Sequence, residues 1–308
     1  MSRNLGKVVV TGGAGFIGSH LIDRLLLEDC VEIVAIDNLS RGRLVNLAKW
    51  RNDPRLQFIH GDIRDASLVA QVLDGAGVVF HLAAQSTVMG AVRDSEYTFT
   101  TNVTGTYNVL KAATRAGVGC VLFASSREVY GEPIDLPVDE ESPLLAINSY
   151  GASKAAGEAY CRAFRREFGL QAFVLRLANV YGPRDIGRVI PSWVEDVRAR
   201  RDLTVYGGKQ VIDFVWVDQV IDAFVRAATL DGPLPAINVG SGTGTRIVDL
   251  ARRIARLAET PGHLKLQPAR AVEVTRFIAS VERMRTVLKI EPPLDPLTHL
   301  SKLVPVAV

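Results

Sequence analysis

The 308-residue chain has only three cysteines, Cys30, Cys120 and Cys161, far apart and set in apolar runs. That is neither the density nor the spacing of a disulfide framework or a structural zinc site, and reduced core thiols are expected. The five histidines, His20, His60, His81, His263 and His299, share no ligand spacing, so each reads as a packing or surface residue and no metal site is expected. No apolar stretch approaches the ~18 residues that span a bilayer, and nothing resembling a signal peptide precedes the first apolar run. A cytoplasmic enzyme with no membrane partner is the expectation. Excess charge is also missing: 36 Lys and Arg face 33 Asp and Glu for a net charge of +3. The basic residues are dispersed, so a pI near 8.8 is no argument for nucleic acid. With 48% hydrophobic and 22% charged residues, what remains is a soluble globular protein long enough for a substantial core.

The most informative stretch present is Thr11-Gly12-Gly13-Ala14-Gly15-Phe16-Ile17-Gly18, fed by the apolar Val8-Val9-Val10. It reads as a strand turning through glycines into a helix, the pattern of a dinucleotide site. Gly12 permits the turn, Gly15 lets the backbone approach a pyrophosphate, Gly18 allows close packing, and the helix start offers free amides to phosphates. Asp37 ends a second apolar run, Val31 to Ile36, at about the ~20-residue distance where a carboxylate accepts hydrogen bonds from an adenosine ribose.

Further short β-rich runs follow at Leu56 to His60, Val78 to Leu82, Cys120 to Ser125 and Ala172 to Leu177, with helical patterns near 16–29, 66–73, 98–116 and 150–168. Near-continuous apolar strands alternating with helices predict a Rossmann-type α/β fold, a doubly wound parallel sheet covered on both faces. After Ala178, frequent Gly and Pro break the chain into shorter elements. A smaller α/β substrate-binding lobe is expected there. On this reading residues 1–182 form the NAD-binding domain, also receiving about 211–242, and the lobe is built from about 183–210 and 243–308. Such a lobe would close over the carboxyl ends of the strands, where ligands bind in open α/β sheets.

Tyr150-Gly151-Ala152-Ser153-Lys154 carries the chemistry. Four residues apart on a helix, Tyr150 and Lys154 share a face, and an ammonium near a phenol lowers its pKa from ~10 toward a usable acid/base. The spacing alone equally suits a surface helix. Context favours catalysis: Ser125-Ser126 follow the apolar strand 121–124, whose end points into the cofactor crevice.

These motifs, with Asp37 to Ser40, Gly61 to Asp65, His81 to Gln85, Ser125 to Gly131 and Asn179 to Arg184, stand in the order and spacing of the extended short-chain dehydrogenase/reductases. The chain resembles their NAD-dependent nucleotide-sugar epimerase/dehydratase family over nearly its whole length. The resemblance implies NAD as cofactor, with Gly12, Gly15, Phe16, Ile17, Gly18, Asp37 and Asn38 in its site. It places Asp62 and Ile63 at the adenine, Leu82, Ala83 and Ala84 along the dinucleotide, and Lys154 on the nicotinamide ribose and Tyr150. It makes Ser126 the catalytic hydroxyl, Asn179 and Arg270 phosphate ligands of a nucleotide-diphosphate sugar, and the helices 98–116 and 150–168 the faces of a homodimer. Core packing explains the same apolar faces equally well.

The reaction implied begins with Tyr150 taking the proton of the sugar 4-hydroxyl as carbon 4 is oxidised. A 4-epimerase then returns hydride to the other face, whereas a 4,6-dehydratase needs an extra acid and base. The family's dehydratases carry Asp as acid and Glu as base after the catalytic hydroxyl; here those positions are Arg127 and Glu128, and arginine has no proton to lend, while Glu128 is a candidate catalytic residue for chemistry at carbon 5. A nucleotide-sugar 4-epimerase is therefore expected. Arg127 as reader of a substrate carboxylate keeps a uronate decarboxylase or epimerase open, and a keto-sugar reductase using NADPH through Arg41 and Arg43 is disfavoured by Asp37. An NAD-binding regulator without turnover is the reading from a different class. One phosphate-binding arginine of the family is replaced by Ile212, a loss of roughly 1.5 to 3 kcal/mol where desolvated. Arg184 or Arg188 is expected to substitute, or the ligand departs from a standard nucleotide sugar.

Overall fold

The computed structural model describes residues 5–28, 30, 32–259 and 263–304. Val31, Asp29, residues 1–4, 260–262 and 305–308, which the predicted elements and domain bounds include, lie outside the described residues.

The first half alternates strand and helix: β1 (Lys7–Thr11), α1 (Phe16–Leu27), β2 (Glu32–Asp37), β3 (Leu56–His60), α2 (Ala66–Leu73) and β4 (Ala76–His81). Helices α3 (Val88–Arg93), α4 (Ser95–Phe99) and α5 (Gly105–Arg115) lead to β5 (Cys120–Ser126), then α6 (Ser149–Phe168) and β6 (Ala172–Leu177). With β10 (Ile237–Val239) these strands form a parallel seven-stranded sheet in the order β10-β6-β5-β4-β1-β2-β3. Strands β5 and β6 are buried along their whole length, as a sheet covered on both faces requires. The order reverses between β1 and β4, so Thr11, Asp37, His81 and Ser126 end their strands around one crevice.

The helix predicted over 98–116 is interrupted. Residues Thr100–Thr104 form a π-helical turn between α4 and α5, which apolar periodicity does not signal because the pattern runs through it. This turn places Asn102 to donate to the Gln85 carbonyl at 3.0 Å and to Ser153 Oγ at 2.8 Å.

The remaining elements are β7 (Asn179–Tyr181), α7 (Val189–Arg198), β8 (Leu203–Tyr206), β9 (Val211–Trp216), α8 (Val217–Thr229), β11 (Gly244–Arg246), α9 (Ile247–Leu257), β12 (Leu264–Gln267), β13 (Arg276–Phe277) and α10 (Glu282–Leu288). Segment 211–242 divides. Strand β9 joins β7, β11 and β13 in a second sheet, while β10 extends the large one. Strands β8 and β12 make a separate parallel pair. The larger of two apolar clusters, from Val8 and Leu122 to Val205, Phe277 and Leu300, runs continuously beneath both sheets, and the second, around Val9, Val79 and Phe123, packs the large sheet against α2, α5 and α6.

Candidate active site

A cavity of about 800 Å³ opens at the carboxyl edge of the large sheet, at the upper end of the size of ligand sites. It is lined by every residue given a cofactor, catalytic or substrate role above except Asp62. The Asp62 carboxylate faces Arg64 and Asn38 instead: although burial pushes the other way, their hydrogen bonds carry it down to about 2. Eight Arg or Lys side chains line the cavity against five Asp or Glu, a field suited to anionic diphosphates.

At one end, α1 begins at Gly15 with no side-chain cap and no acidic residue in its first turn. The amides of that turn lack intrahelical acceptors and point their dipole at the cavity. Gly12 has φ +74°, and a Cβ at Gly18 would stand 2.2 Å from the Gly12 carbonyl oxygen. The turn and helix touch backbone to backbone, and only glycine permits it. Asp37 accepts from Leu39 N at 2.8 Å and Ala14 N at 3.1 Å. Burial raises its pKa against those bonds. An uncapped helix start, a glycine cradle and a fixed strand-end carboxylate fit a dinucleotide with an unphosphorylated adenosine ribose. Arg41, the residue considered for a 2′-phosphate, donates to the Ile186 carbonyl at 2.9 Å.

At the other end, Asn148 caps α6 by accepting from Gly151 N at 2.8 Å, and the helix presents Tyr150 and Lys154 to the cavity. The expected pairing is altered. Lys154 Nζ donates to the Ala124 carbonyl at 2.7 Å and lies 4.9 Å over the Phe123 ring, and burial lowers its pKa to about 8. Burial raises the Tyr150 phenol, and the charge that most opposes this is Arg188, followed by a hydrogen bond with Ser126. The cations acting on Tyr150 here are thus Arg188 and, more weakly, Arg127. The strand carbonyl partly offsets the burial of the Lys154 ammonium. Motif reasoning considered Arg188 only as a phosphate ligand. Its placement depends on its position at the start of α7 and its ion pair with Asp185 at 2.8 Å.

Beyond Ser126, Arg127 donates through Nε to Asn179 Oδ1 at 2.6 Å and pairs through Nη2 with Glu128 at 2.9 Å. Its Nη1 is buried with no partner. Farther out, Arg270 stacks 3.8 Å from the Tyr206 ring centre and pairs with Glu273. Trp193, Thr204, Tyr206 and Gln210 line this end with Ile212; the Gln210 Oε1 is buried without a partner. These four were missed, since no short motif marks them. Arg184 is tied to Asp23 of α1 at 2.7 Å. The histidine reading can be placed for His81: it sits between Thr11 and Thr106 hydroxyls, and burial drops its pKa to about 3, leaving it neutral. Among the described residues no group of three His, Cys, Asp or Glu could hold a metal ion, and no helix is long and apolar enough to cross a membrane.

A doubly wound sheet with a dinucleotide cradle at its switch point and a Ser-Tyr-Lys cluster facing it defines an NAD-binding α/β enzyme. Residues 8–240 match the model of the NAD dependent epimerase/dehydratase family. The chain belongs to that family, whose cofactor is NAD. It is 38% identical to a UDP-glucose 4-epimerase of Mycolicibacterium smegmatis over 93% of each chain. Among solved structures, it superimposes with a TM-score of 0.90 and 31% identity on a UDP-glucose 4-epimerase of Thermotoga maritima solved with UDP-glucose, covering 96% of each chain. A dTDP-glucose 4,6-dehydratase of Streptomyces venezuelae with NAD bound gives a TM-score of 0.91 at 31% identity, covering 96% of this chain and 95% of that one.

Proposed function

We propose that this protein is a nucleotide-sugar 4-epimerase acting through a transient 4-keto sugar, with a UDP-hexose as the first substrate class to test. The observation that carries the reading is the loop after β5. Arg127 stands where elimination would need an acid, and it pairs with the one carboxylate beside it; arginine cannot act as that acid. What remains is Ser126, Tyr150 and Lys154, sufficient for oxidation and reduction at carbon 4.

Tyr150 takes the proton of the 4-hydroxyl and later returns it to the same oxygen on the other face of the sugar. Ser126 hydrogen-bonds that oxygen and holds the phenol. NAD, when bound in the cradle, supplies the acceptor that takes the carbon 4 hydride and gives it back, together with one positive charge. Lys154, anchored on Ala124, positions the cofactor ribose. Asn179, its Oδ1 fixed by Arg127, offers its amide nitrogen to the substrate diphosphate, joined by Arg270, Arg184 and Arg188 in place of an arginine at Ile212. The cofactor-binding part comprises 1–182 with α8 and β10, and the rest forms the substrate lobe. The protein works in the cytoplasm as a homodimer, a reading supported by the exposed Tyr107 and Tyr160 rings on α5 and α6. A second reading, a uronate decarboxylase, is favoured by one observation, the unpartnered Arg127 Nη1, a donor for a substrate carboxylate.

The test is mass spectrometry and proton NMR on nucleotide sugars and uronates incubated with the enzyme and NAD in deuterated water. An isomer of unchanged mass without deuterium is expected. Loss of carbon dioxide would install the decarboxylase, and loss of water with deuterium at carbon 5 a dehydratase. Tyr150→Phe should lower kcat by about 10²–10⁴-fold with NAD binding intact. Glu128→Gln should keep much of the activity; complete loss counts against the proposal.

A further inference from the structure

Glu128 lines the cavity and has no task in the reaction above. Its side chain is 6% exposed and both carboxylate oxygens are engaged: Oε1 lies 2.9 Å from Arg127 Nη2, and Oε2 accepts from Asn148 Nδ2 at 2.8 Å. Arg127 is itself fixed, by the 2.6 Å bond to Asn179 and by the Phe277 ring 5.7 Å away. A carboxylate beside a 4-keto sugar is the group able to remove the acidified proton at carbon 5. Here one oxygen is held by a guanidinium and the other by an amide, so neither is free to swing toward a bound sugar.

We propose that Arg127 is a positioning residue for reaction specificity: it withholds Glu128 from carbon 5, so that the 4-keto sugar is returned as an epimer and is not enolised. The inference rests on the 4-epimerase reading. Released from Arg127, Glu128 takes the carbon 5 proton, and the electron pair of that C–H bond moves into the carbon 4 carbonyl as an enolate. On return, carbon 5 receives a solvent-exchanged proton from Glu128. The exchange needs no oxidant and expels no group. Removing Arg127 leaves the Asn148 bond to Glu128 in place, and with it the cap that seats Tyr150 at the start of α6.

The experiment compares the wild type with Arg127→Ser and, closer in volume, Arg127→Gln. Each is incubated in deuterated water, once with NAD and a UDP-hexose and once with a preformed UDP-4-keto-hexose, and carbon 5 deuterium is read above an enzyme-free blank. The wild type should epimerise without label at carbon 5. The neutral variants should gain carbon 5 deuterium by about tenfold or more, the scale of removing one charge-assisted contact. Adding Glu128→Gln to either should abolish the gain, a result that loss of structure alone cannot produce. If the variants, folded by circular dichroism, label carbon 5 no faster than the wild type, or if the gain survives Glu128→Gln, the proposal is overturned. A wild type that epimerises none of the sugars overturns the functional reading alone, since the preformed keto sugar still reports the exchange.

Discussion

Lys154 shows what the site costs the fold. Its ammonium is buried with one carbonyl and one ring as partners, and burial lowers its pKa to about 8 from the ~10.4 of an exposed lysine. Between those values the unfolded chain binds a proton that the folded one has released, so stability from this group rises with pH across that window and is absent below it. The same side chain must be charged to hold a ribose, so function uses the state that the fold disfavours. Replacing it isolates the effect. In denaturant titrations from pH 8 to pH 10, the stability of the wild type relative to Lys154→Met should increase by ~1.4 kcal/mol per pH unit. A flat or falling difference would mean that Lys154 keeps its proton in the fold.

Helix α6 and the loop Arg127–Tyr130 act as one element. Asn148 caps the helix and is held by Glu128, and a Cβ at Gly151 would stand 2.3 Å from the Glu128 carbonyl oxygen. Gly151→Ala must therefore separate helix from loop and shift Tyr150 away from Ser126. A misplacement of about 1 Å at the reacting atoms costs on the order of 10²-fold in rate. That loss is expected in kcat, with a much smaller loss of NAD affinity, since the cradle at α1 is remote and only Lys154 rides on the shifted helix; equal losses in both would contradict the local account. Elements of this kind also mark how far the sequence could be read. The glycine turn, Asp37 and the strands Leu56–His60 and Ala172–Leu177 were legible because each is a local pattern with a local cause. The π turn at Thr100–Thr104 was not, since apolar periodicity is blind to one extra residue per turn. Nor was the destination of β9: five apolar residues around Asp213 say strand but not which sheet. The Lys154 and Arg188 contacts depend on a carbonyl of β5 and a carboxylate at Asp185, which meet them only in three dimensions.

At the scale of the molecule, three sheets and the proposed substrate lobe suggest parts that unfold separately, as chains well above 150 residues often do. The packing argues otherwise. Met284 and Leu288 of α10, with Leu297, Leu300 and Val304 of the tail, belong to the same core as Val8 and Leu21 under the large sheet and Val205 and Leu250 in the lobe. Tyr181 donates from β7 to the Pro296 carbonyl at 2.6 Å, and Arg226 of α8 donates to the Leu288 carbonyl at 2.8 Å, so the tail ties both sheets together. Opening the lobe alone would strip apolar surface from the large sheet at about 25 cal/mol per Å². Scanning calorimetry of the full chain should therefore give one transition, with van't Hoff and calorimetric enthalpies in agreement, and saturating NAD should move that whole transition upward. Two peaks, of which NAD shifts only one, would show that the continuous core does not couple the lobe to the sheet.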